Sequence, residues 1–396
     1  MDRQNPGYTV GWALPTSIPV STIPPQPTPG NPMIYCINPK CDQRENPDYL
    51  EYCQGCDSPL TINSRYRLLK PLRPLDAPNP TKIFEVQDLA AEAAIKGAKH
   101  KVLKVLTRNN STLVRLFRQE SEILKKLNHP GIPKVQPEDD YFTVSVSRRA
   151  RPLHCLVMEQ VEGINLREWL KHNQPISEAK AIEWLKQLLD ILDTLHQQQY
   201  FHRDIKPSNI MLRPNGQLVL IDFGTVCQMT GTVVQRLMGK DVTGEGVFSP
   251  GYTPPEQING NAVPQSDLYA LGRTFVHLLT GKHPLELETN HKTGELMWRK
   301  HTRKISAPLV EWLDYFMAPF VHRRPPNAAF ILQHFQKQPL PHPDIPKTSP
   351  LPLGLMILNL GIFSILLVSG VLWLQAYQQH QRQLSPQGNV LLMPSG

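Results

Sequence analysis

Between residues 65 and 336 the spacing of apolar positions changes several times, and each change predicts an element. Val102-Leu103-Lys104-Val105-Leu106 is a short apolar run broken by one lysine, the pattern of a half-buried strand that carries a cation. From Leu113 to Leu127 the spacing becomes helical, with Leu116, Ile123, Leu124 and Leu127 on one side and Glu120 among them. Leu156-Val157-Met158-Glu159 reads as a buried strand that runs into the connector Gln160-Val161-Glu162-Gly163. A second helical pattern covers Ile182 to Gln198, Leu218 to Asp222 reads as another strand, and a further helix begins near Asp267.

The flanks differ from this region. Met1 to Met33 holds eight prolines among Ser, Thr, Gln and Gly. Such a stretch buries too little apolar surface to offset its ordering entropy, and it lacks the apolar run of a secretory signal, so residues 1–33 are expected to be a mobile tail. At the other end, Leu353 to Leu374 carries no charge and only Asn359, Ser364 and Ser369 as polar interruptions. At about 1.5 Å per residue it can cross a hydrocarbon core of roughly 30 Å. Residues 351–374 are therefore expected to be a transmembrane helix, joined by a linker over 337–350 and followed by a short extracytoplasmic tail over 375–396.

The chain has 396 residues, 42 Lys and Arg against 34 Asp and Glu, and a formal charge of +8. The basic residues are spread out, with no run beyond Arg148, Arg149 and Arg151, so no nucleic-acid partner is expected. Four of the six cysteines are grouped as Cys36, Cys41, Cys53 and Cys56, with gaps of four and two and with Pro39 and Gly55 inside them. Two close pairs in tight turns are how a short chain builds a tetrahedral Zn²⁺ site, and fewer than thirty residues cannot fold on apolar burial alone. Residues 34–60 are expected to form a zinc-ribbon-like module; an iron site and four unliganded thiols remain the alternatives.

The chemistry is concentrated in His202-Arg203-Asp204-Ile205-Lys206-Pro207-Ser208-Asn209, followed thirteen positions after the Asn by Asp222-Phe223-Gly224. Phosphoryl transfer from ATP needs a carboxylate near the acceptor hydroxyl, Mg²⁺ ligands and cations on the phosphates. These motifs resemble the catalytic loop and metal-binding triplet of bacterial Ser/Thr protein kinases of eukaryotic type, and more closely the cyanobacterial branch with a four-cysteine prefix. The resemblance implies an α+β two-lobed kinase fold over 65–336, with an N-lobe over 65–158, a hinge over 159–163 and a C-lobe over 164–336. It implies that Asp204 orients the acceptor hydroxyl, that Lys206 neutralises the transferring phosphate, and that Asn209 and Asp222 hold Mg²⁺ or Mn²⁺. Lys104 and Glu120 become the ion pair on the ATP phosphates. Glu159 and Val161 become contacts in a hinge whose backbone bonds the adenine edge, Met158 the gatekeeper and Met211 a further nucleotide contact. Tyr252 to Glu256 resembles the segment that closes the activation loop, Asp267 would anchor the catalytic loop, and Arg324 would pair with Glu256. Lys206 and Ser249 favour Ser/Thr over Tyr substrates.

One departure stands out. The stretch Pro71 to Pro80 falls where kinases carry a glycine-rich hairpin, and no glycine lies between Gly55 and Gly97. Glycine lets the backbone approach phosphate and leaves N–H donors free, whereas proline has none. Val102 also replaces the alanine that such kinases place over the adenine. Two readings follow: a membrane-anchored kinase acting on protein Ser/Thr, with self-association for autophosphorylation and its kinase domain in the cytoplasm, or a membrane-tethered pseudokinase scaffold.

Overall fold

The computed structural model describes residues 32–77, 79–90, 100–146, 151–228, 248–303 and 305–337. The proline-rich tail up to residue 31, the apolar stretch from Leu353, and Thr230, Thr232, Thr243 and Glu245, which the sequence offers as phosphate acceptors or a built-in anion ahead of the Tyr252 to Glu256 segment, lie outside them. Among the described residues no helix is long and apolar enough to cross a membrane.

The first lobe is built on one antiparallel sheet of β1 (Met33–Tyr35), β2 (Glu45–Pro47), β3 (Thr61–Ile62), β4 (Tyr66–Pro71), β5 (Thr81–Asp88), β6 (His100–Leu106), β7 (Tyr141–Val144) and β8 (Leu153–Glu159). Its order is β2-β1-β4-β5-β6-β8-β7, with β3 also on β4. The strand period of two divides β6 between two environments. Leu103 and Val105 join Leu68, Phe84, Val86, Cys155 and Val157 in one cluster. Lys104 and Leu106 point the other way, where Leu106 packs with Leu156, Phe117 and Leu124. The lysine in the apolar run is therefore directed at the helix that follows.

That helix, α1 (Ser111–Lys126), starts at Asn110, whose side-chain oxygen accepts the Leu113 N–H at 3.0 Å, and carries Lys125 and Lys126 in its last turn. Phe117, Glu120, Ile123 and Leu124 are buried on one face. The same spacing that buries the apolar residues thus brings Glu120 to Lys104.

The four-cysteine segment is part of this sheet. β1 pairs with β2 through Met33↔Pro47, Ile34↔Asn46 and Tyr35↔Glu45, and Tyr35 lies across from Leu68 of β4. Without β1, β3 would leave most of that edge of β4 bare, and an open edge is a liability that a short covering strand removes. The four-cysteine segment and the first lobe therefore share backbone hydrogen bonding.

The second lobe is mostly helical: α2 (Leu166–His172), α3 (Glu178–Gln197), α4 (Pro255–Ile258), α5 (Pro264–Thr280), α6 (Ala307–Phe316) and α7 (Ala328–Lys337). α3 starts earlier than its apolar pattern suggests because Ser177 caps it, accepting the Lys180 N–H at 3.3 Å. Trp184, Leu185, Leu188 and Leu192 of α3 pack with Leu268, Leu271 and Phe275 of α5. Each such side chain contributes roughly 1.5–3 kcal/mol by leaving water. Short strands β9 (Ile164–Asn165), β11 (Ile210–Leu212) and β12 (Leu218–Leu220) form a small sheet, and β10 (Tyr200–Phe201) pairs with β13 (Cys227–Gln228). The His202 to Asn209 segment lies between β10 and β11, and the Asp222 triplet between β12 and β13.

Candidate active site

Lys104 Nζ donates to both Glu120 oxygens, at 2.8 and 2.9 Å, and to Asp222 Oδ1 at 3.0 Å. Three residues distant in sequence thus meet at one ammonium group. Burial opposes a charge on Lys104, but Asp222 and Glu120 outweigh it and hold the ammonium above its usual range. Lys104 in turn holds the Asp222 carboxyl below the usual carboxylate range. Burial pushes the Glu120 carboxyl up, while its two bonds from Lys104 favour the ion. Asp222 has φ 69 and ψ 71, a left-handed conformation uncommon outside glycine. The following Phe223 is buried with its ring edge-on to His202, centroids 5.1 Å apart. At Gly224 a β-carbon would come 3.0 Å from Lys104 Nζ and 3.3 Å from Glu120 Oε2, so any larger residue there would push on the ion pair by a few tenths of an ångström.

The second group of residues surrounds Asp204. Lys206 Nζ donates to its carboxylate at 3.0 and 2.8 Å and to Ser249 Oγ at 2.7 Å, and Ser249 Oγ donates to Asp204 Oδ1 at 2.5 Å. Asn209 Nδ2 donates to the Asp204 backbone oxygen at 2.9 Å and to Oδ2 at 2.8 Å, leaving the amide oxygen as its remaining donor for a cation. Carboxylate and amide oxygens are hard donors of the kind Mg²⁺ takes, so Asp222 and Asn209 fit that ion. Buried Asp267 fixes the loop backbone, accepting the His202 N–H at 2.8 Å and the Arg203 N–H at 2.7 Å. Arg324 Nη1 lies 2.6 Å from Glu256 Oε1, and Ser266 Oγ donates to the same oxygen at 2.7 Å. That pair ties the Tyr252 to Glu256 segment to the lobe and faces no reacting atom.

At the hinge, the Glu159 side chain is bonded by Arg213 and by the Lys134 N–H, so Glu159 can meet an adenine only through its backbone. Val161 is half-buried in the connector. Met211 lies opposite Asn165 and Val219 in the small sheet. The hairpin of β4 and β5 closes in spite of its prolines, with the Leu72 N–H on the Ile83 oxygen at 2.8 Å. Sequence reasoning passed over Arg73, the residue just beyond: its Nη2 lies 3.5 Å from Asp222 Oδ2. A cation in the stretch that replaces the phosphate cover was the available signal.

The four cysteines form a second centre. Their sulfurs all lie within 4.8 Å of one another, with Cys36 and Cys56 3.5 Å apart and Cys41 and Cys53 3.6 Å apart. Tetrahedral Zn²⁺ with Zn–S bonds of about 2.3 Å needs sulfurs about 3.8 Å apart, whereas disulfides need about 2.05 Å. N–H donors face two of the sulfurs as they would thiolates: the Asn38 N–H lies 3.4 Å from Cys36 and Asn46 Nδ2 3.5 Å from Cys53, while Cys56 Sγ lies 3.2 Å from Ser58 Oγ. Burial and the neighbouring thiols push Cys36 up, and Cys41 up to about 11. Burial also opposes ionisation of Cys56, but bonds from Ser58 and Asn38 bring it down to about 6. One negative charge settles readily, and four require a compensating cation. Gly55 has no room for a β-carbon, which would sit 2.9 Å from Gln43 Cβ and 3.1 Å from Cys41 Sγ. The donor set fits zinc.

Comparison with known proteins agrees with this geometry. Residues 87–336 match the protein kinase domain family. The chain is 34% identical over 310 residues to serine/threonine-protein kinase B of Synechocystis sp., covering 76% of this chain and 51% of that protein. It is 34% identical over 284 residues to serine/threonine-protein kinase PknA of Nostoc sp., covering 69% and 47%. It is 31% identical over 234 residues to serine/threonine-protein kinase PrkC of Bacillus subtilis, covering 58% and 32%. The chain spans about half the length of the first two and a third of the last. With its lysine, glutamate and aspartates assembled and its family matched across more than half its length, the chain belongs to the protein kinases, among relatives that are bacterial serine/threonine kinases.

Proposed function

We propose that the chain is an active kinase that transfers the γ-phosphoryl group of MgATP to Ser or Thr hydroxyls of proteins. The observation that carries this is the junction at Lys104, where Glu120 and Asp222 meet one ammonium group. Phosphoryl transfer by a protein kinase needs that ion pair and that aspartate in place together. Asp204 then accepts the hydroxyl proton or orients the hydroxyl, Lys206 carries charge toward the phosphate, and Asn209 with Asp222 holds Mg²⁺. Glu159 and Val161 meet the adenine by backbone, and Met211 lies beneath it. A pseudokinase scaffold is the weaker reading, since a fold freed from catalysis need not keep Lys104, Glu120, Asp204, Asn209 and Asp222 together.

Two finer parts belong to the same proposal. Cys36, Cys41, Cys53 and Cys56 hold a structural Zn²⁺, supported by the sulfur spacing. The apolar stretch 353–374 anchors the protein once through a membrane, with the kinase domain on the cytoplasmic side where ATP is found and thiols stay reduced.

The test is autophosphorylation and phosphorylation of a general protein substrate by the full chain in detergent, with labelled ATP and Mg²⁺. Label on Ser or Thr that is lost with Asp204→Asn supports transfer; no label in the parent protein, at normal MgATP binding, would establish the scaffold. Release of the protein from membranes by alkaline carbonate would defeat the anchor.

A further inference from the structure

The proline-rich hairpin does more than omit glycines. The Leu72 N–H still bonds the Ile83 oxygen at 2.8 Å, so Arg73 is the first residue beyond the paired strands. Pro74 follows, which restricts Arg73 to extended backbone and offers no N–H of its own. The far side of the loop is held as well: the Pro80 oxygen accepts both the N–H and the hydroxyl of Thr107 at 2.9 Å, and the Ala77 oxygen accepts Lys82 Nζ. The stem is braced, and the group it aims at the site is a guanidinium.

Its target is informative. Asp222 Oδ1 is bonded by Lys104 and Oδ2 lies 3.5 Å from Arg73 Nη2, so two cations share a carboxylate whose proposed task is to hold a metal ion. A divalent cation on Asp222 would repel the guanidinium, while the triphosphate that arrives with it is a strong multidentate anion. Guanidinium is the side chain best matched to phosphate oxygens, which it meets through paired N–H donors. We infer that Arg73 replaces the backbone N–H groups of the missing glycine-rich loop, turning from Asp222 to the phosphate chain when MgATP binds. This rests on the reading of the site as an ATP site. A brake on the empty site is the opposing role for the same contact. It does not fit, because Arg73 is 38% and Asp222 25% exposed, and an ion pair that open to water shifts an equilibrium only a fewfold.

The experiment measures binding of MgATP and of adenosine to the full chain for the parent, Arg73→Ala and Arg73→Lys. Arg73→Ala should weaken MgATP about tenfold or more and leave adenosine within twofold, and Arg73→Lys should recover part of the loss. The melting temperature should not move, since the side chain is partly exposed. In turnover the loss should appear in KM for ATP more than in kcat. Unchanged MgATP affinity in Arg73→Ala would overturn the inference while leaving the ATP site intact, and tighter affinity would mark the pair as a brake. A parent protein that binds neither MgATP nor adenosine would overturn the ATP site itself and this inference with it.

Discussion

Tyr35, one residue before the first cysteine, lies opposite Leu68 in the strand that leads into the Arg73 hairpin. The cysteine centre and the Arg73 hairpin therefore belong to neighbouring strands of one hydrogen-bonded sheet. A metal that orders β1 also covers the edge of β4, so its binding energy is shared with the lobe.

Replacing one thiolate should accordingly cost more than the ribbon. Cys53→Ser should lower zinc from about one per chain to less than a tenth by elemental analysis. It should also lower the single melting transition by about 5 °C or more. Two separated transitions, with the main one unmoved, would show that the segment folds and melts by itself.

With the roles proposed for them, Asp204 and Asp222 should fail in different ways. Asp204→Asn should reduce transfer by about a hundredfold to ten-thousandfold with MgATP binding retained, the usual scale for a lost general base. Asp222→Ala should reduce transfer at least as much and also abolish the Mg²⁺ dependence of ATP binding. Single-turnover assays beside calorimetry distinguish the two, and parental activity in either variant would remove that residue from the mechanism.

Ser249 bridges Asp204 and Lys206 with one hydroxyl. Ser249→Ala should free Asp204 of that bond and lower kcat about tenfold, while Ser249→Thr keeps the hydroxyl and should stay within about threefold. Equal loss in both variants would assign the effect to packing in the loop.

How much of this was readable in advance depends on how local the determinant is. Residues 202–224 were legible because the chemistry demands particular atoms at short spacing. The strand and the helix that carry Lys104 and Glu120 were legible from their periods, but the pairing of the two was implied only by the family resemblance, since an isolated lysine and glutamate read as solvated charges. The pairing of Tyr35 with Leu68 was not, since β1 and β4 are short and a strand's partner is chosen by tertiary packing. Arg73 was missed for a similar reason: a lone arginine in a loop is normally a solvated charge, and only the fold brings it over Asp222. The Glu159 side chain, on which the sequence pattern is silent, pairs with Arg213 of the other lobe.

The last prediction concerns acid stability and a buried network that no motif announced. Asp88 accepts from Arg65 Nε at 2.7 Å and lies 2.8 Å from Lys101 Nζ, and Lys101 also bonds both oxygens of Asp139 at 2.6 Å. These contacts join β4, β5 and β6 to the segment before β7. Burial alone would raise the Asp88 carboxyl, but Arg65 and Lys101 outweigh it and hold it well below the usual carboxylate range. Asp222 is held down in the same direction, chiefly by Lys104. A group whose folded pKa lies below its unfolded value stabilises fully above the unfolded value, and that stability is lost as pH falls toward the folded one. Unfolding free energy should therefore be flat in these two groups from neutral pH to about pH 5 and fall steeply below about pH 4. Asp88→Asn should cost about 3 kcal/mol at pH 7, because it leaves Arg65 and Lys101 to share the single carboxylate of Asp139, and should flatten the acid limb. Urea unfolding at pH 7, 5 and 3.5 checks both parts; an acid limb in Asp88→Asn as steep as the parent's would show that other carboxylates govern it.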